Sequence, residues 1–247
     1  VTPDMLTPST ANLVHKNLCR GRAIPSFDMN AACSGFVYGL AVAKGMMESG
    51  DYRRTLLVGA EAMTRITDYE DRETCVLFGD AAGAVVLERS DVAGGILATT
   101  LCSDGQHSDL IQVPGCGSRR PASPEVLAER QQYLQMNGRA VFKLAVQSME
   151  QIALDTLKKV GWTVDSLNAV LCHQANGRIV QATAERLGVC AEKLPMNIDR
   201  VGNTSSASIP VLLDECNRHG RFRAGDRLLL ISFGAGLTWG AAAVEWA

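Results

Sequence analysis

Apolar and polar positions along this chain repeat with two periods, and the switches between them mark out the predicted elements. Pro8-Ser9 suits a first helical turn and predicts a helix running to Leu18. Pro25 disfavours helix ahead of it, and Ile24 and Phe27 mark an extended apolar approach to Asn30. From Cys33 the period changes: Phe36, Val37, Leu40, Ala41 and Ala43 to Met47 recur at helical spacing, predicting a helix over 33–49 closed by Gly50. Arg54 to Ala60 predicts a buried strand. Leu77 to Leu87 reads as a glycine-punctuated turn entering a second strand, and Gly94 to Leu101 as a third. Helical periodicity resumes from Arg139 through Lys159 and stops at Gly161. A strand over 167–172, a helix over 179–187 ended by Gly188 and a helix over 205–216 follow, Pro210 being tolerated in an early turn. Arg227 to Phe233 and Thr238 to Glu245 read as closing strands joined by Gly234-Ala235-Gly236. This alternation predicts an α/β architecture. Asp104 to Pro124, rich in Gly, Pro, Ser and Arg, predicts a surface excursion. It divides the chain into residues 1–104, a connection over 105–136, and residues 137–247.

Composition narrows the class. The 24 basic and 26 acidic residues are well mixed and leave a net charge of −2, which gives no basis for nucleic-acid or membrane-surface binding. No apolar run reaches spanning length. The eight cysteines are scattered without a Cys-x-x-Cys pair, so metal-cluster and disulfide-framework readings are weak and a reduced cytosolic setting is expected. No histidine or cysteine spacing predicts a metal site.

The candidate chemistry centres on Cys33. It falls at an extended-to-helix junction among small residues (Ala31, Ala32, Ser34, Gly35), which leaves room for a substrate. Unpaired N–H groups and the positive helix end would stabilise a thiolate there and lower its pKa. A buried structural cysteine is the competing reading. Two polar loops follow predicted elements of the second half. His173-Gln174-Ala175-Asn176 lies beyond the carboxyl end of a strand, where open α/β sheets gather their sites. Gly202-Asn203-Thr204-Ser205 precedes a helix, so Asn203 is also an ordinary N-cap candidate, just as His173 could be an ordinary loop histidine. The glycines of Phe78-Gly79-Asp80-Ala81-Ala82-Gly83 lead into a strand and lack a Gly-Lys-Ser/Thr ending, so close packing explains them better than phosphate binding. Cys33, His173 and Asn203 together allow two chemistries. Papain-like hydrolysis has that residue order, but the residues flanking Cys33 do not match its signature. The other is acyl transfer to the thiol followed by carbon–carbon bond formation, with neutral His and Asn donating to an enolate oxygen. The Phe233-Gly234-Ala235-Gly236 turn offers backbone N–H groups for an oxyanion hole.

The motifs Ala32-Cys33-Ser34-Gly35-Phe36, Asp71-Arg72, Phe78 to Ala84, Asn137 to Lys143, His173 to Arg178, Gly202 to Ser205 and Phe233 to Gly240 run through nearly the whole chain in one order. In that order the chain resembles the β-ketoacyl-acyl-carrier-protein synthase III family of condensing enzymes. The resemblance implies an α/β, thiolase-like fold of two duplicated halves in five αβαβα layers, the nucleophile in the first and His and Asn in the second. It implies an acyltransferase and a homodimer that initiates fatty acid synthesis by decarboxylative Claisen condensation of an acyl-CoA primer with malonyl-acyl-carrier protein. Coenzyme A and the acyl-carrier protein enter as parts of the substrates, and no cofactor or metal is expected.

Carried over by position, Cys33 resembles the acylated nucleophile, with His173 and Asn203 the pair that promotes decarboxylation and steadies the enolate. The N–H groups of Cys33 and Ala235 match the oxyanion hole. Arg72, Gly138 and Asn176 match the coenzyme A tunnel, and Gln174, Ala175, Asn176, Gly177 and Arg178 the carrier-protein docking segment. Thr7 and Phe142 match acyl-pocket positions. Many family members have phenylalanine where this chain has Thr7, so a longer pocket and primers longer than acetyl are expected. The family also has a segment ahead of the position of Val1, which is expected as a separate chain, as a cleaved piece, or as part of a longer sequence. A condensing enzyme of a specialised polyketide- or quinolone-like pathway, and a non-catalytic truncated member, are the alternatives.

Overall fold

The computed structural model describes residues 1–247. Its centre is a four-stranded sheet in the order β3 (Gly95–Ser103), β8 (Thr238–Glu245), β7 (Arg227–Gly234), β6 (Ala169–Cys172). β6 runs parallel to β7, and the other pairings are antiparallel. Side chains alternate between the faces of a strand, and here both faces are apolar. Val170, Cys172, Leu229, Ile231, Phe233 and Ala241 face one core with α4 (Gly138–Val160) and α5 (Gly177–Leu187). Ala169, Leu171, Leu228, Leu230 and Ala242 face another with α2 (Gly35–Glu48) and α7 (Ser208–Arg218). The helix stops fall where the glycines predict them, with Gly161 and Gly188 in left-handed conformation after α4 and α5. Ser9 caps α1 (Thr10–Leu18) by accepting from the Asn12 N–H.

A second sheet is a two-stranded antiparallel ribbon of β1 (Arg54–Ala62) and β2 (Asp80–Glu88). The apolar run in β1 predicts a buried strand, and the structure differs. Leu56, Val58 and Val86 stay exposed on one face, because β1 has only β2 beside it and only the other face meets helices. That inner face touches α2 through Leu57, which lies against Gly39, and α7 through Gly83, which lies against Pro210 and Val211.

The division of the chain looks different in three dimensions. β3 precedes residue 104 yet is hydrogen-bonded to β8, in one sheet with strands from the far end of the chain. The 105–136 stretch carries β4 (Ile111–Gln112), α3 (Pro124–Ala128) and β5 (Gln135–Met136), with β4 and β5 paired. It folds back on residues 66–70, where Leu134 N donates to Ile66 O at 2.8 Å and Arg130 pairs with Asp68. All eight cysteines are free thiols, and no helix is long and apolar enough to cross a membrane.

Candidate functional site

Cys33 sits in a 3₁₀ turn over Ala32–Ser34 that leads directly into α2. Ala32 has φ +46°, a left-handed conformation that costs a non-glycine residue about 1–3 kcal/mol and persists only where neighbours enforce it. Those neighbours are visible. Asn30 Oδ1 accepts the Ala32 N–H at 3.0 Å, and Thr238 Oγ1 donates to the Ala31 carbonyl at 2.9 Å. Ser34 Oγ donates to the Thr238 carbonyl at 3.0 Å. The Cys33 turn is thus tied to the turn that joins β7 to β8. Gly234, the last residue of β7, touches Cys33 directly, and a Cβ there would lie 2.7 Å from the Cys33 nitrogen. Glycine is required by this approach.

A lowered thiol pKa is the expectation from the helix terminus, and the structure reverses it. Burial pushes the Cys33 thiol up to about 11, and Glu61 adds to the rise. The nearby Ser205 hydroxyl acts the other way without overcoming it. Desolvation disfavours the charged form more strongly than the helix terminus favours it.

His173 extends β6 by one hydrogen bond, its N–H donating to Ile231 O at 2.7 Å. It is buried, and burial holds its imidazole down at about 4, so the ring is neutral at neutral pH. Nδ1 lies 2.6 Å from Ser208 Oγ, which also accepts the Gln174 N–H at 3.3 Å. If Ser208 donates to Nδ1, the ring proton lies on Nε2, which is then a donor. Asn203 bridges to the other half: its N–H donates to Leu77 O at 2.8 Å, and its own carbonyl accepts from Gly79 N at 3.1 Å. Its side chain does not cap α7. Oδ1 accepts the Ser205 N–H at 2.9 Å, and Nδ2 points to Ala175 O at 3.4 Å. A 3₁₀ turn over Ser205–Ala207 separates it from the helix.

The three residues therefore meet around one short run, Asn203 to Ser208. The turn that carries Cys33 packs on it, with Gly35 against Ser206, Ser208 bonds His173, and Asn203 is its first residue. Ala235 follows Gly234 in the turn stapled to Cys33, and its carbonyl lies 3.0 Å from the same Thr238 Oγ1. Of the outer residues, Asn176 and Gly177 line a cavity of about 260 Å³ with Leu77, Ile198 and Gly202. Asn176 caps α5 by accepting the Arg178 N–H at 2.9 Å, and Arg178 is exposed. Gln174 is buried, donating to Cys172 O at 2.9 Å, and Ala175 is half-buried. Arg72, Gly138, Thr7 and, on α4, Phe142 are exposed; none of the four lines that cavity. The sequence reading missed Glu61, Ser205, Ser208 and Thr238. A signal existed for the first three: one carboxylate in an apolar strand, and serines packed into the run after Asn203.

Comparison with known proteins gives a consistent picture. The family model described as 3-oxoacyl-[acyl-carrier-protein (ACP)] synthase III matches residues 27–105, and the model of its C-terminal part matches residues 157–246. Among curated relatives, β-ketoacyl-[acyl-carrier-protein] synthase III of Roseiflexus castenholzii is 49% identical over 99% of this chain and 74% of its own length. The protein of that name from Desulfitobacterium hafniense is 46% identical over 100% of this chain and 74% of its own length. Among solved structures, 3-oxoacyl-[acyl-carrier-protein] synthase III from Aquifex aeolicus superposes with TM-score 0.91 at 41% identity, covering 99% of this chain and 74% of that one. The priming β-ketosynthase of the R1128 polyketide biosynthetic pathway superposes with TM-score 0.89 at 34% identity, covering 100% and 72%.

Proposed function

This chain belongs to the 3-oxoacyl-[acyl-carrier-protein] synthase III family, and from that premise we propose that Cys33 is its acyl-carrying nucleophile, with His173 and Asn203 as the decarboxylation pair. The fold is thiolase-like α/β, and the enzyme is an acyltransferase of the condensing type that initiates fatty acid synthesis from acyl-CoA and acyl-carrier-protein substrates.

In the first half-reaction the Cys33 sulfur attacks the acyl-CoA carbonyl, and the N–H groups of Cys33 and Ala235 receive the oxyanion. Collapse expels coenzyme A as its thiol and leaves an acyl thioester. In the second, malonyl-carrier protein loses carbon dioxide, and the electron pair passes into an enolate whose oxygen accepts from His173 Nε2–H and Asn203 Nδ2–H. Neutral donors suit this step, since a strong acid would protonate the carbanion before it attacks. The carbanion adds to the thioester carbonyl, and Cys33 leaves as the thiolate, which takes a proton from water to return to the thiol. The observation that carries this reading is that the Cys33 turn and His173 both lie against the run that begins with Asn203, with His173 buried and neutral.

Asn176, Arg72 and Gly138 are proposed to contact coenzyme A, and the 174–178 segment, with Arg178 exposed, to meet an acidic carrier protein. Thr7, and Phe142 on α4, are proposed acyl-pocket residues in a homodimer, a small Thr7 admitting primers longer than acetyl. A cytoplasmic setting fits the eight free thiols. The similarity to a polyketide-priming ketosynthase supports a second reading, priming of a specialised pathway by the same chemistry. The test is incubation with labelled acyl-CoA and mass analysis of the Cys33 peptide, followed by carbon dioxide release from malonyl-carrier protein across a primer series. An acyl adduct on Cys33 followed by carbon dioxide release is expected. An unmodified Cys33 overturns the assignment, and equal rates with short primers only would count against the pocket reading.

A further inference from the structure

The run from Asp68 to Glu73 sets four carboxylates around one arginine, Arg72. Two main-chain turns fold it: Asp71 N donates to Asp68 O at 3.2 Å, and Cys75 N donates to Asp71 O at 2.9 Å. Three of the four carboxylates are occupied. Asp71 accepts from Glu73 N at 3.0 Å and from Thr74 Oγ1 at 2.5 Å. Asp68 accepts from Glu70 N at 2.9 Å, and its two oxygens also take the Arg130 fork, Nε donating to Oδ2 at 2.7 Å and Nη2 to Oδ1. Arg130 Nη1 reaches Glu70 at 3.2 Å, and the guanidinium carbon lies 5.1 Å from the centre of the Tyr133 ring. This guanidinium holds the Asp68 carboxyl down at about 2. Arg130 comes from the 105–136 stretch and sits at φ +58°, a conformation that a non-glycine residue keeps only where its surroundings enforce it. Arg72 is exposed and takes part in none of these ion pairs.

We propose that Arg130 is a positioning residue for coenzyme A binding: by occupying Asp68 and Glu70 it keeps those carboxylates from pairing with Arg72, and so leaves the Arg72 guanidinium to the phosphates of the ligand. The inference rests on the reading of Arg72 as a coenzyme A contact. Asp68 and Glu70 stand four and two positions before Arg72 on one folded run. An arginine fork pairs readily with a carboxylate, so either would compete for Arg72 once Arg130 is gone. The ligand is a polyanion, and freed carboxylates would also repel it. Asp68 matters more of the two: its side chain is 14% exposed against 79% for Glu70, so water and salt screen it less. The far end of the segment is fixed separately. Asn203 N donates to Leu77 O at 2.8 Å, and Leu77 lines the cavity that Asn176 shares. Loss of Arg130 is therefore expected to act through charge at Arg72 and to leave that cavity wall in place.

The test is calorimetric titration of the full chain with coenzyme A at low and at high salt. Arg130→Gln is expected to weaken binding about five-fold at low salt and less than about two-fold at high salt. Adding Asp68→Asn and Glu70→Gln to Arg130→Gln is expected to restore the affinity, since the competing charges are then gone. Unchanged binding in Arg130→Gln overturns the proposal. So does a loss that the two neutral substitutions leave in place, which would make Arg130 a structural support only. Arg72→Ala separates the proposal from the reading beneath it. It is expected to weaken binding by itself, and in its background Arg130→Gln is expected to add less than about two-fold. An undiminished further loss in that background overturns the proposal alone. Full binding by Arg72→Ala would reject Arg72 as a coenzyme A contact, and the inference with it. If Arg130→Gln does not fold, Arg130→Lys decides, because it keeps the charge but cannot fork across both carboxylates. A loss of about two-fold, relieved by Glu70→Gln, is expected there, and unchanged binding rejects the idea.

Discussion

The four-stranded sheet and the β1–β2 ribbon hold the site in different ways. The sheet is sandwiched between helices on both faces, and its strand ends carry His173 after β6 and Gly234-Ala235 at the end of β7. The ribbon is covered on one face only, and it contributes Glu61 together with the close approach of Gly59. A Cβ on Gly59 would lie 2.5 Å from the Ser206 carbonyl oxygen, so the ribbon supports the Asn203–Ser208 run from below much as Gly234 supports Cys33. Groups that must keep a fixed distance extend from the doubly buried sheet. The buried carboxylate of Glu61 comes from the more exposed ribbon.

Four measurements test that contrast. The largest effect is expected from Leu229→Ala, which empties a fully buried position on β7: about 2–5 kcal/mol lost in denaturant unfolding. A loss below about 1 kcal/mol would show that the sheet is not the rigid member. His173→Ala is expected to reduce carbon dioxide release about 10²–10³-fold while acylation of Cys33 persists. Equal loss of both half-reactions would remove the separation of roles at the ends of β6 and β7. The third test is pH. His173 has a folded pKa of about 4, below its unfolded value near 6.5, so the folded state takes up its proton later than the unfolded state as pH falls. Its contribution is full above 6.5 and declines from there to about 4, roughly 3 kcal/mol in all. Urea titrations at pH 7 and 4.5 should show the decline, and its absence in His173→Gln would assign it to this residue. The smallest effect is expected from Val86→Ala on the open face of the ribbon, within about 0.5 kcal/mol. A larger loss would mean that this face is covered in solution.

Much of this was legible along the chain because the information is local. The helix over 138–160 follows from apolar spacing and a glycine stop, and the closing strands from short apolar runs around a glycine turn. The nucleophile junction, the two polar loops and the family motifs were also readable, since each is a short run of residue types with one chemical use. The exposure of β1 was not legible, because an apolar run does not tell how many strands will lie beside it. The direction of the Cys33 shift was not legible either. A helix terminus is a local feature, whereas burial depends on what packs against the sulfur from elsewhere in the chain.

The sequence by itself determined the element order and the kind of chemistry, and it singled out Cys33, His173 and Asn203 as candidates. Only the tertiary structure decided that they gather at one short run, that His173 is neutral, and that Glu61 is buried against Ser205 and Ser206. Periodicity and motif spacing are properties of neighbours along the chain. Proton positions and desolvation are set by residues far apart in sequence, such as the 144 positions between Glu61 and Ser205, which meet only when the sheets pack.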